Sequence, residues 1–143
     1  MTLVMPAVIQ EETTGCGIAC CAALAGVSYQ QAKKVANSLG IFATDLSLWS
    51  DIEPVRKILA HMSFTSTNSQ TPFSSWSDLP DLALLAVKWH IYQGQPCWHW
   101  VVFVREGHDS YVLDSNARLK QNIRNDFGRI QPKWFLEVKH ASK

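Results

Sequence analysis

The chain has 143 residues, of which 47% are hydrophobic and 17% charged. That excludes a disordered tail and gives enough length for one core-bearing domain over residues 1–143. A formal charge of +1 at pH 7 argues against a nucleic-acid binder, which carries a basic face.

No apolar run approaches the roughly 18 residues of a membrane span. The N-terminal "MTLVMPAVIQEE" lacks the basic start and long apolar stretch of a signal peptide. The expected location is therefore the cytoplasm, and the four cysteines are expected to be reduced. In chain order, "CGIACCAALA" is small and apolar almost all round, which predicts a buried helix from Cys16 to Ala25, stopped by Gly26. Ser28 is placed to cap a second helix through "YQQAKKVANSL", ended by Gly40. A third helix lies in "LSLWSDIEPVRKILAHM"; Pro54 does not suit a helix interior, so the helix is expected to begin between Asp51 and Pro54. Residues 63–81 are rich in Ser, Thr and Pro and read as loop or irregular edge. The runs "LALLAVKW", "WHWVVFV", "SYVLD" and "WFLEV" read as strands, with "REGHD" as a turn. Helices first and antiparallel strands later predict an α+β fold.

Three of the four cysteines fall within "CGIACC". A thiol reacts as thiolate, and unpaired N–H groups at a helix start favour that form. Cys16 falls in the first turn, with Gly15 and Gly17 expected to leave room for a substrate backbone. The bland alternative is a small buried residue, and that reading is preferred for Cys20 and Cys21. His99 is the ionisable residue of "WHWVVFV" and needs a partner if buried. A hairpin centred between Glu106 and Gly107 sets Asp114 directly opposite His99, with Cβ atoms roughly 5 Å apart. There a carboxylate fixes the imidazole tautomer and favours its charged form. A slip of one residue would send Asp114 to the other face. Gln10, just upstream of the thiol, offers an amide donor for a developing oxyanion, beside the Cys16 N–H.

Other patterns are weaker. No Cys-x-x-Cys spacing supports zinc, and no Gly-rich loop supports a phosphate cofactor, so neither metal nor cofactor is expected. His61, His90, His108 and His140 read as solvent-facing, and Lys33 and Lys34 as a solvated helix face. Trp98 and Trp100 point away from the His99 face in a regular strand and are expected to anchor the sheet to the helices. Loops 41–50 and 63–80 are expected to shape the substrate groove.

The order Gln–Cys–His–Asp resembles the bacteriocin-processing C39 peptidases. Gln10 followed by "CG" at 16–17 resembles their first motif, "HWVVF" at 99–103 their His-aromatic-Val-Val strand, and "YVLDSNA" at 111–117 their Tyr-x-Val-Asp-Pro segment. The resemblance runs from about residue 8 to the tail. It implies a papain-like fold with Cys16 as nucleophile, His99 as general base and acid, Asp114 as orienter and Gln10 as oxyanion donor. Members of that family cleave leader peptides after Gly-Gly, commonly as the cytoplasmic N-terminal domain of an ABC exporter. The substrate implied is therefore a peptide or protein, and a separate exporter is the partner the family would supply. Two departures stand out. Ser115 occupies the position where the family usually has proline, and the 143 residues include no transmembrane or ATPase part, so leader removal coupled to export is not implied. Two further readings stay open: a deamidase or transamidase using the same thiol chemistry, and a non-catalytic peptide-binding module.

Overall fold

The computed structural model describes residues 6–141. Residues 1–5, which carry part of the signal-peptide reading, and 142–143 lie outside the described residues.

Local sequence explains the three helices. Helix α1 runs Cys16–Ala25 and is buried along almost its whole length, as its small apolar residues require. It ends at Gly26, whose φ of 71° is in the left-handed region that glycine adopts without a Cβ penalty. Ser28 caps α2, Tyr29–Ser38, in a reciprocal capping box with Gln31. Helix α3 spans Glu53–His61, with Pro54 in its first turn, where its missing N–H costs nothing.

Among the described residues seven strands follow: β1 Phe64–Ser66, β2 Thr71–Pro72, β3 Leu82–Tyr92, β4 Gln95–Glu106, β5 Asp109–Leu113, β6 Ile123–Arg124 and β7 Trp134–His140. They pair antiparallel in the order β1-β7-β3-β4-β5-β6, with β2 also on β7. The α+β class is as expected. Two segments differ from the sequence reading. Residues 63–81 are not simply loop: they hold β1, β2 and a 3₁₀ turn at Trp76–Asp78. The central hairpin is also longer, because β3 continues to Tyr92 and β4 begins at Gln95.

Alternation along β4 divides the core into two layers. Trp98, Trp100, Val102 and Val104 join the helices and Trp134 in the larger cluster. Val101 and Phe103 face the other way, with Leu85, Val87 and Val112, under Phe73, Trp76 and Phe127. Trp100 is fully buried and meets Trp98 and Trp134 edge-on, at centroid distances of 5.7 and 5.4 Å. Burial of each such side chain stabilises the fold by roughly 1.5–3 kcal/mol. The tryptophans therefore anchor sheet to helices, as the alternation predicts.

Two irregularities position the site. Between the Val87–His99 and His90–Cys97 pairs the β3–β4 register shifts, so Lys88 and Trp89 together oppose Trp98. Lys88 sits in this bulge at φ 53°. Such a bulge bends the outer hairpin and re-aims side chains. The second irregularity is the β4–β5 turn. Glu106 pairs with Asp109 and Val102 with Leu113, so the turn is Gly107–His108, with Gly107 at φ 62°.

Candidate active site

Three chemistry-bearing side chains converge from separate elements. Cys16 is the first residue of α1, His99 lies on β4 next to the bulge, and Asp114 follows β5 directly. The hairpin centre is one residue later in sequence than the expected one. Continuing the observed register sets Asp114 beside Val101, two residues along from His99. A displacement of two preserves the face, whereas a displacement of one would lose it. The expected direct opposition is thus corrected to a diagonal contact, and the hydrogen bond survives: His99 Nε2 lies 2.8 Å from Asp114 Oδ1.

Asp114 is 1% exposed, and its carboxylate oxygens are well supplied. Oδ1 also accepts from the Asn116 N–H at 3.1 Å, and Oδ2 accepts from Arg124 Nη1 at 3.0 Å. Burial pushes its carboxyl up, but the bonds from His99, Asn116 and Arg124 outweigh it and hold it below the usual carboxylate value. Arg124 is in turn fixed by two bonds to Asp126, at 2.9 and 2.7 Å. His99 is 16% exposed. Burial pushes its imidazole down, yet hydrogen bonding to Asp114 and Cys16 raises it to about 9. With Nε2 committed to Asp114, Nδ1 is the ring nitrogen left to serve the thiol.

Cys16 is 1% exposed. Its Sγ accepts from the backbone N–H of Trp100 at 3.4 Å. No side chain caps α1 at Gly15, so no side chain competes for the N–H groups of its first turn. Cys20 and Cys21 are packed behind it, and burial pushes both thiols up. All four cysteines are free thiols. Among the described residues no three His, Cys, Asp or Glu side chains converge as a metal-binding group.

The flanking glycines serve a different end from the one expected. A Cβ on Gly15 would collide with the Tyr29 hydroxyl, and one on Gly17 would come within 2.7 Å of Val55 Cγ1. Their space is filled by the protein's own core, so they permit close packing around the thiol rather than access for substrate.

The loop ahead of Cys16 is heavily braced. Tyr29 and Lys33 both bond the Glu12 carboxylate, and Thr14 donates to the Ala43 carbonyl. Lys33, on the solvated face predicted for it, also pairs with this carboxylate while staying partly exposed. Gln10 joins this brace. Its Nε2 donates to the Glu12 and Thr13 carbonyls at 2.9 and 3.0 Å. Its Oε1 accepts from Ser115 Oγ at 2.7 Å, and its N–H donates to the Ser115 carbonyl at 3.0 Å. Ser115, where the resembling family has proline, thus ties Gln10 to the residue after Asp114.

A groove of about 470 Å³ runs past this cluster, lined by Gln10, Glu11, Trp49, His90, Trp98 and His99 among others. Residues 41–50 shape it through Trp49. None of residues 63–80 does: Phe73 and Trp76 cover the opposite face of the sheet. His61, His90, His108 and His140 are all exposed, although His90 also forms groove wall. The roles of Arg124, Lys33 and Tyr29 escaped sequence reading because the carboxylates of Asp114 and Glu12 that they bond lie at least ten positions away, across a strand pair or between helix and loop.

Two solved structures share this architecture. The chain is similar to a double glycine motif protease from an AMS/PCAT transporter, crystallised in complex with the leader peptide. The TM-score is 0.59 at 15% identity, over 95% of this chain and 91% of that one. It is also similar to the peptidase domain of Streptococcus ComA, a bi-functional ABC transporter involved in a quorum sensing pathway. There the TM-score is 0.65 at 13% identity, over 97% of this chain and 100% of that one. No protein-family model and no curated protein matches the chain. At these identities the likeness defines the fold: papain-like α+β, a helical half set against an antiparallel sheet, as found in C39 double-glycine peptidase domains. No helix among the described residues is long and apolar enough to cross a membrane.

Proposed function

We propose that this chain is a cysteine peptidase of the cytoplasm that hydrolyses peptide bonds in peptide or protein substrates, with Gly-Gly leader junctions as the substrate class. The observation that carries the reading is that His99 bonds both Asp114 and the buried Cys16, which come from post-strand loop and helix, while His99 itself lines the groove. Asp114 holds Nε2 of His99, so Nδ1 takes the Cys16 proton. The thiolate attacks the substrate carbonyl carbon, and the C–N bond breaks as His99 protonates the leaving amine. Water, deprotonated by His99, then attacks the thioester and releases the acid and the thiol. The Cys16 N–H at the start of α1 and the Gln10 amide stabilise the oxyanion. Both Gln10 amide hydrogens are donated to carbonyls at rest, so one of those bonds opens as substrate enters. Likeness in fold to domains named for double-glycine processing supports the Gly-Gly assignment.

The test is mass spectrometry of a peptide library incubated with the full chain and with Cys16→Ala. Cleavage after Gly-Gly, absent in Cys16→Ala, is the expected result. Conversion of glutamine to glutamate without backbone cleavage would replace the reading with a deamidase, and binding without any turnover would replace it with a peptide-binding module.

A further inference from the structure

A second cavity, of about 590 Å³, lies on the other side of the Lys88 bulge. Its lining includes Lys88, Arg124, Arg129 and Lys133 and no carboxylate. That is a marked local excess in a chain with 13 basic and 12 acidic residues. Arg124 is committed to Asp114 and Asp126. Both oxygens of Asp126, which also feels Arg129, are taken by Arg124. Among the described residues Lys88, Arg129 and Lys133 make no ion pair. Lys133 instead rests over the Trp89 ring, 4.8 Å from its centroid. Val87 and Ile130 give the cavity an apolar floor. Unpaired cations around a concave, partly apolar wall concentrate positive potential and suit carboxylates.

Lys88 lines both this cavity and the groove at His99. A peptide lying in the groove therefore reaches the cavity by crossing one residue. Glu11 and Glu12 line the groove and are absent from the cavity. The groove mixes Glu11 and the Lys33-bound Glu12 with Lys88 and Arg118, whereas the cavity has cations without a carboxylate; an acidic stretch is therefore drawn toward Arg129 and Lys133, which orients the substrate. At about 3.3 Å per extended residue, the cavity takes two or three residues.

We propose that this cavity is an exosite for a short acidic segment of the peptide substrate, held by Lys88, Arg129 and Lys133. The identity of the occupant rests on the peptidase reading.

The experiment measures fluorescence anisotropy of labelled Gly-Gly peptides on the full-length Cys16→Ala chain, at low and high NaCl. Peptides carry a Glu, Gln or Lys triplet on one flank or the other. Three partly exposed ion pairs give about ten-fold tighter binding of one Glu-flanked peptide over its Gln counterpart, and high salt removes the difference. Arg129→Gln/Lys133→Gln brings the ratio near one, and Arg129→Glu/Lys133→Glu reverses it toward the Lys peptide. Circular dichroism melting confirms that each variant is folded. Equal affinity for Glu and Gln peptides overturns the proposal, as does a preference that persists in both double variants. Binding of inorganic pyrophosphate or phosphatidylserine vesicles that depends on Arg129 and Lys133, without a Glu preference, overturns it in favour of a small-anion or lipid site. Cleavage of the Gln-flanked peptide by wild type is measured in parallel. Cleavage without a Glu preference removes the exosite alone; a Glu preference without cleavage removes the peptidase reading alone.

Discussion

Replacing Asp114 with asparagine isolates the interaction on which the proposed chemistry depends. Asparagine keeps the volume but cannot satisfy every partner. With its oxygen toward His99 and Asn116, its amide faces the Arg124 guanidinium, donor against donor. Turned over, the amide donates to Nε2 of His99 and strands the proton on Nδ1, where the base must be free. Either way His99 loses the carboxylate that offsets its burial. Its value of about 9 against the usual 6.5 corresponds to about 3 kcal/mol of net interaction, shared between Asp114 and Cys16. Losing most of it predicts a fall in kcat/KM of about 100-fold. The assay is cleavage of a Gly-Gly peptide from about pH 5 to 10, where the alkaline limb of the profile should move to lower pH. An Asp114→Asn chain with near wild-type kcat/KM and an unmoved alkaline limb would refute the reasoning.

The same pair makes stability depend on pH. His99 is raised in the folded state, so its contribution is complete below its ordinary 6.5 and is lost as pH rises through about 9. Urea titrations across that window should show a loss of up to about 3 kcal/mol, flattened in Asp114→Asn. Asp114 is lowered, so its contribution is present above the usual 3.8 and is lost as pH falls through the lower folded value. Gly15→Ala drives a methyl group into Tyr29 and should cost about 1–3 kcal/mol in thermal or urea unfolding. Ser115→Ala frees the Gln10 carbonyl oxygen; kcat should fall several-fold with little change in KM, and Ser115→Thr should restore it.

How much of this was legible in the sequence depended on the range of the interactions. Gly26, Ser28 and Pro54 act within a few residues, so the helix boundaries could be read. Strand alternation put Trp98 and Trp100 on one face, and the observed packing follows it, with Val101 and Phe103 on the other. The face of Asp114 was legible but its position was not, because Gly107 starts the β4–β5 turn instead of ending it. The bulge at Lys88 was hidden: a lysine at positive φ carries no sequence signature, yet it bends the hairpin beside His99. Arg124 sits in the polar stretch "NIRND", and only the pairing of β5 with β6 brings it to Asp114. Gly15 and Gly17 were legible as positions that need glycine, but what fills their space comes from Tyr29, Val55 and Trp100 in distant elements.

The central claim, that Cys16 is the nucleophile acting on peptide carbonyls, is tested most directly by intact-mass analysis with a thiol-reactive Gly-Gly peptide probe. Wild type should gain one probe mass and Cys16→Ala none, with Cys20, Cys21 and Cys97 unlabelled because Cys16 is the thiol bonded to His99. Labelling of Cys16→Ala at the wild-type rate would contradict the account.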